Sequence, residues 1–213
     1  MTETIAIIDY GSGNLRSVQK ALQRAAAAGS SRAEVTLVRD ADALAAADRL
    51  VLPGVGAFAA CMDGLVASGM RDALTDAVER RGVPFLGICV GMQLLADRGL
   101  EFGETKGLGW IGGDVRRLPD APGVRTPHMG WNTVSIIKQH PIFETISGPT
   151  DFYFAHSFYF DAQIEPQIFA HCDYGGPFPV VVGRDTMVAC QFHPEKSQAA
   201  GLRVLEGFLS WRP

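Results

Sequence analysis

The sequence predicts an α/β fold: a mostly parallel central sheet with helices on both faces, and an antiparallel, β-rich second half. Two observations carry this. Short apolar runs alternate with amphipathic ones through the first half, the order that builds a parallel sheet covered on both sides. From about Trp110 to Phe192 the runs shorten, become β-rich and are separated by Gly/Pro turns, as in hairpins and antiparallel edge strands. A chain of 213 residues is long enough for one substantial core and short for two, so residues 1–213 are expected to form a single domain.

Taken in order, the strand-like runs of the first half are 5-IAIID-9, 35-VTLVR-39, 49-RLVLP-53 and 83-VPFLGI-88. Between the first two, 14-NLRSVQKALQRAAAA-28 places Leu15, Val18, Leu22 and Ala25 at helical spacing behind an Asn14 cap. The following 25-AAAAGSSRAE-34 reads as a mobile loop. Residues 58–81 hold two helical stretches broken near Ser68-Gly69, and 90-VGMQLLADR-98 reads as another helix. The later runs 131-WNTVSII-137, 151-DFYFAHSFYF-160, 178-FPVVVG-183 and 186-TMVACQF-192 read as strands, and 198-QAAGLRVLEGFLSW-211 as a closing helix.

Composition narrows the function classes. The net charge is −4 with no run of basic residues, which gives no reason to expect nucleic acid. No apolar segment approaches a membrane span. The start MTETIAIIDYG carries acidic residues and no basic region, so it does not read as a signal peptide. Cys61, Cys89, Cys172 and Cys190 lie far apart and suggest neither a disulfide framework nor a zinc site. A cytoplasmic setting, with no metal and no cofactor, is the expectation.

Ligands of an open α/β sheet collect at the carboxyl ends of its strands. Three glycine-rich segments land on that rim: 10-YGSGN-14, 53-PGVGAF-58 and the flanks of Cys89 in 87-GICVGMQ-93. G-I-C-V-G has the form of a nucleophile elbow, a strand-to-helix turn that exposes its central residue. The same pattern also suits a small buried cysteine. In the first reading the following helix favours thiolate, and the Val90 N–H donates to an oxyanion forming beside the sulfur. A thiolate nucleophile needs a base, and the base an orienting group. Near the chain end 191-QFHPEK-196 supplies His193 and Glu195, with a proline holding their separation. A surface turn with a solvated glutamate is the alternative.

Taken together, GICVGMQ and FHPE in this order and position resemble the triad-type, class I glutamine amidotransferases. Further residues carry the resemblance across nearly the whole chain: 9-DYGSGN-14, 53-PGVGAF-58, 87-GICVGMQLL-95, 127-PHMGWN-132, 152-FYFAHSF-158 and 192-FHPEKS-197. PGVG with PHMGWN points to the branch that feeds ammonia to a (β/α)8-barrel cyclase in histidine biosynthesis. The resemblance implies that Cys89 attacks the glutamine amide, His193 moves the proton and Glu195 orients the imidazole. It implies an oxyanion site between the Val90 N–H and backbone of Gly54–Val55, and glutamine contacts from Gln93, Glu101, Ser157 and Phe158. The family often has tyrosine where Phe158 stands, so a contact there is expected through backbone. No synthase module is left in the chain, so a separate acceptor is expected to dock on the active-site rim, with Asn14, Trp131 and Lys196 as candidate contacts. A glycine-flanked peptide at Gly54–Val55 can turn its N–H at little steric cost, so activity is expected to depend on the partner. Two rival readings are the glutaminase subunit of another synthase, such as the pyridoxal phosphate one, and a silent regulator or hydrolase on the same sheet.

Overall fold

The computed structural model describes residues 2–29, 33–120 and 124–213. Its first half is the expected alternation. β1 (Glu3–Ile8), β2 (Ala33–Val38), β3 (Arg49–Gly54) and β4 (Phe85–Cys89) are linked by α1 (Leu15–Ala28), α2 (Ala41–Ala45), and α3 (Phe58–Ala67) followed by α4 (Arg71–Thr75). α4 runs into one π-helical stretch, Asp76–Arg80. The four strands pair in parallel in the order β2-β1-β3-β4. Their apolar runs have a physical reason: β3 and β4 are buried along their whole length, as strands covered on both faces must be.

Beyond Cys89 the chain makes α5 (Val90–Gln93), then β5 (Arg98–Gly99), β6 (Thr105–Lys106), β7 (Gly113–Arg117), β8 (His128–Ile136), β9 (Thr150–His156), β10 (Phe158–Ala162), β11 (Ile168–Asp173), β12 (Pro177–Arg184), β13 (Met187–Cys190) and α6 (Gln198–Ser210). β13 adds in parallel to β4, and β12, β11, β8 and β9 extend the sheet antiparallel to a total of nine strands. A separate four-stranded sheet has the order β10-β7-β5-β6.

Four expectations need correction. The helix expected over residues 90–98 stops after one turn, at Gln93. The carbonyls of Leu94, Leu95 and Ala96 are taken instead by the N–H groups of Leu108, Trp110 and Gly109, so the incoming loop outcompetes helix continuation. The run 151–160 is not one strand: Ser157 separates β9 in the large sheet from β10 in the small one. Asn14 stands at the head of α1, but its side chain makes no cap bond; its carbonyl accepts the Ser17 and Val18 N–H groups. The loop expected over 25–34 is helical as far as Ala28, and residues 30–32 lie outside the described part.

α1 buries Val18, Leu22, Ala25 and Ala26 against the sheet, the amphipathic stripe its spacing implies. The C-terminal end of α6 is tied down from within. Arg49, only 1% exposed, donates to Glu3 and to the carbonyls of Phe208 and Trp211 at 2.7–2.8 Å. A buried guanidinium needs such full pairing.

Candidate active site

Cys89 ends β4 with φ +56° and ψ −113°, the strained turn of a nucleophile elbow. Its flanking glycines are a matter of space. A Cβ on Gly91 would fall on the Leu52 carbonyl, and one on Gly87 would sit 2.8 Å from the Gly91 carbonyl oxygen. Bulk at Gly91 would push the turn off β3, and bulk at Gly87 would push it off β4 and crowd Ala189 of β13. Val90 opens α5, so its N–H has no acceptor inside the helix. With only one helical turn, α5 contributes this local N–H rather than a long aligned dipole.

His193 follows β13 and leads into a 3-10 turn, Pro194–Lys196. Its Nδ1 lies 2.9 Å from Glu195 Oε1, and both side chains are almost fully buried. Burial disfavours the charged imidazole, but hydrogen bonds and charge from Cys89 and Glu195 outweigh it and raise the pKa to about 10. The pair therefore favours the charged imidazole, and the group it faces besides Glu195 is the Cys89 sulfur. Glu195 Oε2 finds no protein donor among the described residues, so the carboxylate is committed to His193 alone. Ser197 holds the turn in place: its hydroxyl donates to the His193 carbonyl at 2.7 Å and accepts the Tyr153 N–H at 2.9 Å. The His193 N–H in turn donates to the Tyr153 carbonyl.

A cavity of about 310 Å³ opens above the sulfur, lined by Cys89, Gln93, Glu101, Ser157, Phe158 and His193 among others. A larger hollow of about 450 Å³ lies where the C-terminal ends of α1 and α6 meet and holds none of these groups. Gln93 is only 3% exposed, and both hydrogens of its Nε2 are used, on the Phe158 carbonyl at 2.8 Å and Gln191 Oε1 at 2.9 Å. Its oxygen is the atom left for a ligand. The Phe158 carbonyl also accepts from His156 Nδ1 at 2.9 Å, and the Ser157 carbonyl accepts the Leu118 N–H. These two carbonyls are therefore engaged by the protein, and Phe158 acts on the cavity through Gln93. One oxygen of Glu101 caps α3, accepting the Phe58 N–H at 2.9 Å.

Gly54 lies opposite Cys89 in the β3–β4 register, and Val55 lines the same cavity as Cys89. The Val55 N–H does not point there. It donates to Ser12 Oγ at 3.1 Å, while the same hydroxyl donates to the Val55 carbonyl at 2.7 Å. Cys61 Sγ stands 3.4 Å from that carbonyl and 3.3 Å from the hydroxyl. Of the two expected oxyanion donors, only Val90 is free to serve in this state. Ser12→Ala removes the clamp, and the expected result is a rise of roughly fivefold in glutamate release by the isolated subunit, one ordinary hydrogen bond's worth. An unchanged rate would mean that Ser12 does not restrain Val55.

The model of the family "Glutamine amidotransferase class-I" matches residues 6–210. The chain belongs to the class-I glutamine amidotransferases. Its relatives are more specific. It is 55% identical over 210 residues to the imidazole glycerol phosphate synthase subunit HisH of Ruegeria pomeroyi, covering 98% of this chain and 99% of that one. It is 51% identical over 212 residues to the HisH subunit of Caulobacter vibrioides, covering 99% and 100%. Among solved structures, a glutamine amidotransferase superposes with a TM-score of 0.72 at 23% identity, over 96% of each chain. Another, from Thermotoga maritima, gives 0.63 at 15% identity, over 97% of this chain and 82% of that one. Both support the fold.

In this class-I glutamine amidotransferase exposed apolar side chains stand at and beside the rim of the cavity. Trp131 is 48% exposed, Met129 65% and Phe102 93%. Trp131 meets Tyr153 edge-on at 6.1 Å between ring centroids, and Lys196 Nζ lies 5.7 Å from the Tyr153 ring centre. Trp131 and Lys196 thus share one side of the rim, whereas Asn14 sits half-buried at the head of α1. Sequence reasoning missed Ser12, Gln191, His156 and Ser197 as working parts of this amidotransferase. Ser12 and Gln191 stood inside quoted motifs, but no spacing rule ties Ser12 to a residue 43 positions on.

Proposed function

We propose that this chain is the glutaminase subunit of an imidazole glycerol phosphate synthase, serving histidine biosynthesis in the cytoplasm as a single domain. The observation that supports it most is the Cys89–His193–Glu195 constellation, with Cys89 and His193 lining one cavity and Glu195 2.9 Å behind the imidazole. Cys89 thiolate attacks the side-chain amide carbon of glutamine, and the carbonyl π bond opens to an oxyanion held by the Val90 N–H. His193 gives its proton to the amide nitrogen as the C–N bond breaks, and ammonia leaves a glutamyl thioester. Neutral His193 then takes a proton from water, hydroxide attacks the thioester, and glutamate and thiolate are regenerated. Glu101 holds the substrate's α-amino group, and Gln93 contacts the substrate through its free oxygen.

Ammonia in neutral water becomes ammonium and loses its nucleophilicity, so the acceptor docks over the cavity. The reading assigns that face to a cyclase of (β/α)8-barrel type, contacting Trp131, Lys196 and Asn14. Such a cyclase uses ammonia to form imidazole glycerol phosphate and an aminoimidazole carboxamide ribonucleotide. The engaged Val55 N–H makes the lone subunit slow, and a partner that favours the donor-in peptide raises the rate only through that difference in affinity. The test is glutamate release across a titration of the cyclase with its nucleotide ligand. The expected result is a low basal rate and a rise of at least roughly 10²-fold, the worth of one oxyanion donor. Full activity of the lone subunit, indifferent to the cyclase, would overturn the reading.

A further inference from the structure

The side chain of Gln191 is fully buried at the end of β13, between the substrate-orienting amide and the nucleophile. Its orientation follows from a group that can only accept. The Phe158 carbonyl has no proton to give, so the Gln93 atom 2.8 Å away is the amide nitrogen. The second hydrogen of that nitrogen points at Gln191, which must present its oxygen, at 2.9 Å. The remaining end of Gln191 is therefore Nε2, and it lies 3.7 Å from Cys89 Sγ, within reach of an N–H···S hydrogen bond. His156 Nδ1 fills the other lone pair of the same carbonyl, and burial pushes that imidazole's pKa down to about 3, so the anchor does not change charge at working pH.

We propose that Gln191 is a catalytic residue: its amide N–H stabilises the Cys89 thiolate while its oxygen locks Gln93 in the orientation that receives glutamine. A thiolate accepts a hydrogen bond far better than a thiol, because the charge strengthens the contact. One side chain thereby couples activation of the nucleophile to orientation of the substrate. The inference rests on the reading of Cys89 as the glutaminase nucleophile.

Other titratable groups act on Cys89 and stay in place when Gln191 is changed. His193 faces the sulfur with Glu195 behind it, Glu101 lines the same cavity, and Tyr10, Cys61 and Cys190 couple to it from behind. Two substitutions separate the two halves of the proposal. Gln191→Met keeps length and removes both polar atoms. Gln191→Glu keeps an oxygen for Gln93 and replaces the nitrogen that faces the sulfur.

The experiment measures alkylation of Cys89 by iodoacetamide against pH, read by mass spectrometry, together with glutaminase kinetics of the complex with cyclase and nucleotide. In Gln191→Met the pH at which Cys89 becomes reactive is expected to rise by about one unit, the effect of one charge-assisted hydrogen bond, and in Gln191→Glu by more, because the new carboxylate faces the thiolate with like charge. Gln191→Met should lower kcat roughly tenfold and raise KM for glutamine; Gln191→Glu should lower kcat and leave KM within about twofold. Folding is followed by near-UV circular dichroism, and the Glu variant keeps the test open if the Met variant is unfolded. Wild-type reactivity and kinetics in folded variants would overturn the inference. Glutamine hydrolysis by Cys89→Ala complex in the same series would instead overturn the underlying assignment of the nucleophile.

Discussion

Cys89→Ala is expected to abolish glutamine-dependent synthesis by the assembled complex and to leave synthesis from added ammonium salt at the wild-type rate. The reason is that ammonia is the only thing handed on, and the methyl group of alanine cannot form the thioester. Triad members act as a unit, so a loss of roughly 10⁴-fold or more in glutamine hydrolysis is the scale to look for. The fold should tolerate the change. Among the described residues the Cys89 side chain bonds no backbone group, and alanine fills the turn with less bulk than cysteine, although the positive φ of +56° remains strained for it. Near wild-type use of glutamine by this variant would make the cysteine structural.

His193→Ala is expected to be nearly as damaging, and Glu195→Gln clearly less so. Alanine removes both the counter-charge of the thiolate and the proton given to the leaving nitrogen. Glutamine at 195 removes a charge that raises the His193 pKa, yet leaves the imidazole in place. The sign is fixed: with a raising influence gone, the imidazolium persists only to a lower pH than in the wild type. Glutamate release over a pH series in the complex should therefore show Glu195→Gln reduced by roughly 10–10²-fold, with its alkaline limb moved toward lower pH. A larger loss for Glu195→Gln than for His193→Ala would reverse the two roles.

The two halves of the fold were not equally legible in the amino-acid sequence. β1, β3 and β4 announced themselves because strands buried on both faces need unbroken apolar runs. The split of residues 151–160 was invisible for a definite reason. Phe152, Phe154 and His156 in β9 and Phe160 and Ala162 in β10 are all buried, so the alternation crosses Ser157 in the same phase while the chain changes sheets. The early end of α5 depends on carbonyl acceptors captured by residues 108–110, a tertiary competition that helical propensity does not contain.

The site divides along similar lines. Cys89 between two glycines and His193 two positions from Glu195 are local patterns, and the structure brings them to one cavity. Contacts between distant segments left no such trace. Ser12 reaches Val55 and Gln191 reaches both Gln93 and Cys89 only after β1, β3, β4 and β13 have been laid side by side. Phe158 lines the cavity as expected of a substrate neighbour, but the two bonds on its carbonyl, which hold other side chains, could not be read from the sequence.

β9 closes one margin of the nine-stranded sheet, and an open margin is where a second chain can add itself. Here that margin is occupied by the turn that carries His193 and Glu195, fastened through Tyr153 and the Ser197 hydroxyl. The turn that holds His193 beside Glu195 is thus also a stopper against strand addition at Tyr153. Loosening the Ser197 clasp would do two kinds of harm at once, slowing chemistry and uncovering an adhesive edge.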